Sequence, residues 1–173
     1  LELYYAHRPR RPVVAVIYSH SHVDHYGGVK GAISDEDAAS GRVKVIAPDG
    51  FLEAVAGENV LAGNPMARRA QFQFGGLLPP GPRGQVDAGL GKTTSRGTVS
   101  LVAPNMLIKA PIETHVLDGI ETVFHLTPGT EAPAEMNFYF PQLKVIDTAE
   151  NATHTLHNLL PIRTLLEAHP DIP

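Results

Sequence analysis

The stretch "YSHSHVDHYGGVKG", Tyr18 to Gly31, places three histidines and an aspartate within six positions, His20, His22, Asp24 and His25. The segment before it, "RPVVAVIYS", is β-branched and apolar from Val13 to Ile17, the composition of a buried strand. Side chains two apart on an extended chain point the same way, so His20 and His22 can converge on one point just past the strand end. Asp24 and His25 lie further round the bend and can reach a second point nearby. Gly27 and Gly28 are expected to let the backbone turn sharply there. Imidazole and carboxylate are the usual ligands of zinc and similar first-row ions, and four of them at this spacing point to a metal site rather than to scattered histidines. The chain has no cysteine, so any metal must rest on His, Asp and Glu.

The 173 residues, 43% of them hydrophobic, suit one domain with its own core. Fourteen Lys and Arg against 18 Asp and Glu give a formal charge of −4, which is no footprint for nucleic acid. No apolar run approaches a membrane span. No signal-peptide pattern stands at Leu1, so the chain itself shows no address. Leu1 is not a start methionine, and "LLPIRTLLEAHPDIP" stops soon after a promising helix. The expectation is a single, incomplete domain over residues 1–173, a fragment with parts missing on both sides.

Strands are expected at Val13–Ser19, Val43–Ala47, Thr98–Val102, Glu121–Leu126, Met136–Phe140 and Lys144–Asp147, and helices at Gly28–Ile33, Phe51–Gly57, Asn64–Phe72 and Thr153–Ala168. The mixture reads as α/β or α+β. "ISDEDAASGR" reads as a solvated loop or helix end, and "PIETHVLDG", with His115, as an exposed loop beside a turn. "FGGLLPPGPRGQVDAGLGKTTSRGT" has few periodic apolar positions and reads as a long loop, either plain surface or folded over an active site. Its "GLGKTTS" is no phosphate loop, because a single residue, Leu90, separates Gly89 from Gly91.

"FHLTPGTEAPAEMNFYFPQLKVIDTAEN" reads as strand, tight turn, strand, turn, strand. Glu131 follows the Thr127-Pro128-Gly129 turn. Glu150 follows the apolar strand "KVIDTA", where it could also cap a helix starting near Thr153. Both carboxylates are expected on strands that share a sheet with the histidine strand, which favours their joining the metal site.

The pattern His20-x-His22-x-Asp24-His25 after a strand resembles the signature of the metallo-β-lactamase superfamily. In that superfamily a later "TPGH" turn supplies a histidine and a later strand end an aspartate that bridges two metals. Here Glu131 stands at the first place and Glu150 at the second. That pair of departures resembles the alkyl sulfatase branch, which hydrolyses long-chain alkyl sulfates such as dodecyl sulfate. "ENVLAGNPMARRA" (Glu58 to Ala70), "GQVDAGLGKTTSRGTVSLVAPN" (Gly84 to Asn105) and "AENATHTLHNLLPIR" (Ala149 to Arg163) match the branch as well, so the resemblance runs from about Arg11 to Arg163.

The resemblance implies a partial αββα sandwich and two zinc ions. His20, His22 and Glu131 would hold one ion, Asp24 and His25 the second, with Glu150 bridging. Family members complete the second site with a histidine well downstream, for which this chain shows no match. The implied reaction is hydrolysis of a primary alkyl sulfate to alcohol and sulfate by a water that two zinc ions activate. Arg163 is the best candidate for gripping sulfate, because guanidinium matches oxyanion geometry in a fork; Gln85, Thr93 and Thr94 are weaker candidates. His154 or His157 could donate a proton to the leaving group or fix ligand carboxylates. The resemblance also implies a homodimeric, bacterial, secreted or periplasmic parent whose dimerisation and C-terminal lipid-carrier-like domains are absent here. Two other readings stand beside it: a metallo-β-lactamase-fold hydrolase acting on a thioester, lactam or phosphoester, and a metal-binding remnant without turnover.

Overall fold

The computed structural model describes residues 1–89, 91–92 and 97–153. In chain order these form α1 (Glu2–Tyr5), β1 (Ala15–Ile17), α2 (Val23–Tyr26), a 3-10 turn at Val29–Gly31, α3 (Asp35–Ala39), β2 (Lys44–Pro48), α4 (Phe51–Val55), a π-helical turn at Ala56–Leu61, α5 (Gly63–Phe74), β3 (Met106–Ile108), β4 (Ile112–Leu117), β5 (Ile120–Leu126), β6 (Met136–Phe140) and β7 (Val145–Asp147). The strands make two sheets: a parallel one ordered β1-β2-β3 and an antiparallel one ordered β4-β5-β6-β7.

β2 explains the layering. Its residues from Val45 to Ala47 are all fully buried, as expected of a parallel strand covered on both faces. Val45 and Ala47 pack with Tyr18, Tyr26, Phe51 and Val55 on the helical side. Ile46 points the opposite way and packs with Ile108, Phe124, Met136 and Phe138 between the sheets. The order is helices, sheet, sheet. The outer face of the second sheet carries Ile112, Val116, Tyr139 and Ile146, all exposed, so the fourth layer of an αββα sandwich has no counterpart among the described residues.

Several expected elements moved. Thr98–Val102 is not a strand: the Ser100 amide donates to the Gly27 carbonyl, and Tyr18 Oη donates to the Val102 carbonyl, so this extended segment braces the histidine loop instead of joining a ladder. The third parallel strand is Met106–Ile108, placed by Asn105. Its side chain accepts from the Val45 amide and donates to the Ala38 and Val43 carbonyls. "PIETHVLDG" is not a loop but strand β4 turning into β5, with His115 paired to Thr122 and its Nε2 in contact with Glu113 Oε2 at 3.0 Å. Along β4 the polar Glu113 and His115 are half-buried while the apolar Ile112 and Val116 are exposed, the reverse of the usual alternation. "SDEDAA" forms α3, nucleated by a capping box between Ser34 and Asp37. The helix expected at Gly28–Ile33 is replaced by α2 and the 3-10 turn. The helix expected at Thr153–Ala168 lies, but for its first residue, outside the described residues.

A candidate metal centre where the two sheets meet

β1 ends at Ile17, and the next four residues, Tyr18 to Ser21, are buried. Tyr18 stacks on Phe51 with ring centroids 4.9 Å apart, and Tyr26 meets Phe51 edge-on at 5.7 Å. These aromatics clamp both ends of the histidine segment. Burial pushes the Tyr18 hydroxyl up to about 12. His22, in extended conformation, caps α2, whose first turn then presents Asp24 and His25. The glycines after α2 do not make a left-handed turn: Gly27 has φ −63° and Gly28 φ −90°. Gly27 is required for space instead, because a Cβ there would stand 2.6 Å from the Val23 carbonyl oxygen.

The carboxylates come from the other sheet, not from the sheet of β1. The His20 backbone bridges to Glu135 in an isolated antiparallel pair, and the Met136 amide donates to the Ser19 carbonyl at 2.9 Å. This stitch joins the end of β1 to the start of β6 and so carries the β5–β6 loop, with Glu131, to the histidines. Within that loop Gly129 takes φ 72°, and Thr130 Oγ1 donates to the Thr127 carbonyl. Glu150 follows β7 on a turn in which Ala149 takes φ 48°. Asn151 ties that turn down by donating to Thr127 Oγ1 and Asn137 Oδ1.

The geometry is tight. His20 Nε2 and His22 Nδ1 stand 3.0 Å apart. Glu150 Oε2 lies 3.1 Å from His25 Nε2, 3.4 Å from His20 Nε2 and 3.9 Å from His22 Nδ1. Glu131 Oε1 lies 3.6 Å from His22 Nδ1. Two groups of ligand atoms each fit around a point: His20, His25 and Glu150, and His22, Glu131 and Glu150, with Glu150 common to both. Asp24, its side chain 57% exposed, stands at the open side with Oδ2 3.6 Å from His25 Nε2. So the structure brings together five of the six expected ligands and leaves Asp24 at their edge, and it sets His20 beside His25 as well as beside His22.

Burial pulls the His20 pKa below its ordinary value, against the raising contact with Glu150. Burial also acts downward on His25, but Glu150 and Asp24 together outweigh it and leave His25 raised. Glu150 is thus the carboxylate that the histidines share. Behind the cluster, Glu135 is fully buried and burial raises its pKa. Its Oε2 accepts from the Ala132 amide and Thr130 Oγ1, while Oε1 faces His20 Nδ1 at 3.9 Å. Glu58 Oε1 faces His22 Nε2 at 3.7 Å. Sequence reasoning singled out neither glutamate. Glu135 had one signal, its place four residues after Glu131 in "TEAPAE".

Gln85 donates from its side chain to the Phe74 carbonyl, and its backbone pairs with Pro79 and Gly81. Its described bonds serve the Gly-rich loop. Thr93, Thr94, His154, His157 and Arg163 lie outside the described residues.

The donor set suits a divalent ion pair: three imidazoles and two carboxylates, drawn from two sheets, with ligand atoms within 4.8 Å of one another in each group. The sequence profile described as the metallo-beta-lactamase superfamily matches residues 1–146. An alkyl/aryl-sulfatase of Saccharomyces cerevisiae is 55% identical over 94% of this chain and 25% of its own length. A linear primary-alkylsulfatase of a Pseudomonas species is 56% identical over 94% of this chain and 24% of its own length. Among solved structures, the stereoselective inverting sec-alkylsulfatase Pisa1 from Pseudomonas matches with TM-score 0.81 and 54% identity, over 86% of this chain and 24% of that one. The chain spans about a quarter of the length of the relatives it matches.

Proposed function

Since the chain belongs to the metallo-beta-lactamase superfamily, we propose that it carries the metal centre of an enzyme that hydrolyses alkyl sulfate esters to alcohol and sulfate, with long-chain primary esters as the substrates. The observation that carries this reading is the shared carboxylate: Glu150 Oε2 lies within 3.9 Å of a ring nitrogen of each of His20, His22 and His25. The alkylsulfatase names of the relatives at 55% and 56% identity supply the substrate class.

His20, His22, His25, Glu131 and Glu150 would hold two zinc ions, Glu150 serving both and Asp24 joining on the side of His25. Zinc bound there would supply positive charge and a water acidified from a pKa of 15.7 toward about 7. The charge matters for this substrate. A sulfate ester is an anion, and Asp24, Glu131 and Glu150 alone would repel it. The protein's own share of the work is orientation. His20, without exposed surface, has its pKa pulled down by burial and offers Nε2 to the cluster. Asp24 and His25 form the open side by which substrate would enter, since their side chains are 57% and 26% exposed while Glu131 is 6% exposed. Arg163 would grip the sulfate through its fork of donors, and His154 or His157 would donate a proton to the leaving group or fix ligand carboxylates.

Zinc-supplied protein incubated with dodecyl sulfate should release inorganic sulfate and dodecanol in equal amounts. Efficient cleavage of a lactam or thioester without sulfate release would overturn the assignment.

A further inference from the structure

Between α4 and α5 the chain makes the π-helical turn Ala56–Leu61, and this turn leans on the histidine loop. Asn59 Nδ2 donates to the Ser21 carbonyl at 3.1 Å and to the Val55 carbonyl at 3.2 Å. Ser21 Oγ donates to Glu58 Oε2 at 2.8 Å. The second carboxylate oxygen, Oε1, stands 3.7 Å from Nε2 of His22. Nδ1 of the same ring faces the other way, 3.0 Å from His20 Nε2, 3.6 Å from Glu131 and 3.9 Å from Glu150. One nitrogen of His22 therefore lies in the cluster, and the other meets a carboxylate from a separate element. Both side chains are shielded, 13% exposed for Glu58 and 11% for His22. Single π-helical turns inside helical segments recur at functional sites.

We propose that Glu58 is a positioning residue for His22: its carboxylate, standing behind Nε2, holds the ring so that Nδ1 stays turned toward Glu131 and Glu150. The contact is longer than a direct hydrogen bond, so the hold is electrostatic, and Ser21 fixes the carboxylate that exerts it. A ligating histidine characteristically has a carboxylate, carbonyl or water behind its second nitrogen, and losing that partner costs about 10–100-fold in metal affinity. The inference rests on reading the cluster as a metal centre.

The test titrates the full chain with Zn2+ alone in competition with a chromophoric chelator. Glu58→Gln should weaken zinc binding about 10–100-fold, while the melting temperature of the metal-free chain stays as in wild type. Glutamine retains an oxygen that accepts from Ser21 Oγ, so a purely structural role for Glu58 would leave zinc affinity unchanged. Glu58→Asp, which keeps the charge, should restore most of the affinity. Wild-type zinc affinity in Glu58→Gln would overturn the proposal. Failure of wild-type chain to take up zinc at all would overturn the metal reading instead, and the first titration distinguishes the two.

Discussion

Glu150 is the residue on which the cluster turns, because its Oε2 lies within 3.9 Å of a ring nitrogen of all three histidines. Glu150→Ala should therefore lower zinc content more than His22→Ala, and His22→Ala should lower it clearly. His115→Ala should leave it at the wild-type value, since His115 pairs with Glu113 on a strand of the second sheet. Metal analysis of the purified variants decides this, and equal loss from His115→Ala would mean that the ligand set is wrong. The same pair gives a pH prediction. The Ala110 amide, His115 and the Lys109 amide hold the Glu113 carboxyl down, from 4.5 to about 2. Between those values the unfolded chain binds more protons than the folded one, so stability rises with pH. The contribution is complete above about 4.5 and gone near 2. Glu113→Gln should thus lower the melting temperature at pH 7 and lower it less and less toward pH 2; an offset that does not depend on pH would contradict this. At this scale the sequence was most legible where ligands crowd together. His20, His22 and His25 sit within six residues, and their spacing reads directly as convergence. Glu58 and Glu135 were not legible, because each reaches the cluster only through a tertiary contact, a π-helical turn in one case and a bridge between sheets in the other.

The elements around the site are short, and their boundaries are set by side chains rather than by periodicity. α3 is held by a capping box in which Ser34 Oγ accepts from the Asp37 amide at 3.2 Å and Asp37 accepts in return from the Ser34 amide at 2.9 Å. Ser34→Ala should cost about 1 kcal/mol with no change in zinc content, since α3 touches no ligand. Gly27→Ala should behave differently. Its new Cβ would meet the Val23 carbonyl at 2.6 Å, and the Gly27 carbonyl is bonded to the Ser100 amide and hydroxyl. The strain would pass into α2 and hence to His25. The expected result is a loss of about 1–3 kcal/mol together with weaker zinc binding; thermal melting and zinc titration of both variants check the contrast, and unchanged zinc affinity in Gly27→Ala would contradict it. Strands β1, β2, β5 and β6 were legible because apolar β-branched and aromatic runs carry them. β3 and β4 were not. β3 has three residues and depends on Asn105 in the adjoining loop for its place. β4 carries Glu113 and His115 on its half-buried face and Ile112 and Val116 on its exposed one, so its pattern does not read as a strand with an apolar inner side.

At the scale of the whole molecule the two sheets have separate tasks. The parallel sheet and its helices deliver the histidines, the antiparallel sheet delivers Glu131 and Glu150, and the bridge between His20 and Glu135 joins the two so that these carboxylates stand 3.1 to 3.9 Å from histidine nitrogens. The class of fold followed from the order of strands and helices, and the layers follow from β2 being buried on both faces. What could not be read was the division of ligands between sheets: strand-end glutamates look alike in sequence whether or not they share a sheet with the histidines, because sheet membership is fixed by pairings far apart in the chain. On the proposed function the two half-sites together hold two metal ions, and elemental analysis of zinc-equilibrated, exhaustively dialysed protein counts them. Two zinc ions per chain are expected in the wild type and fewer than one in Glu150→Ala; no retained zinc in the wild type, or two ions retained in Glu150→Ala, would refute the shared centre.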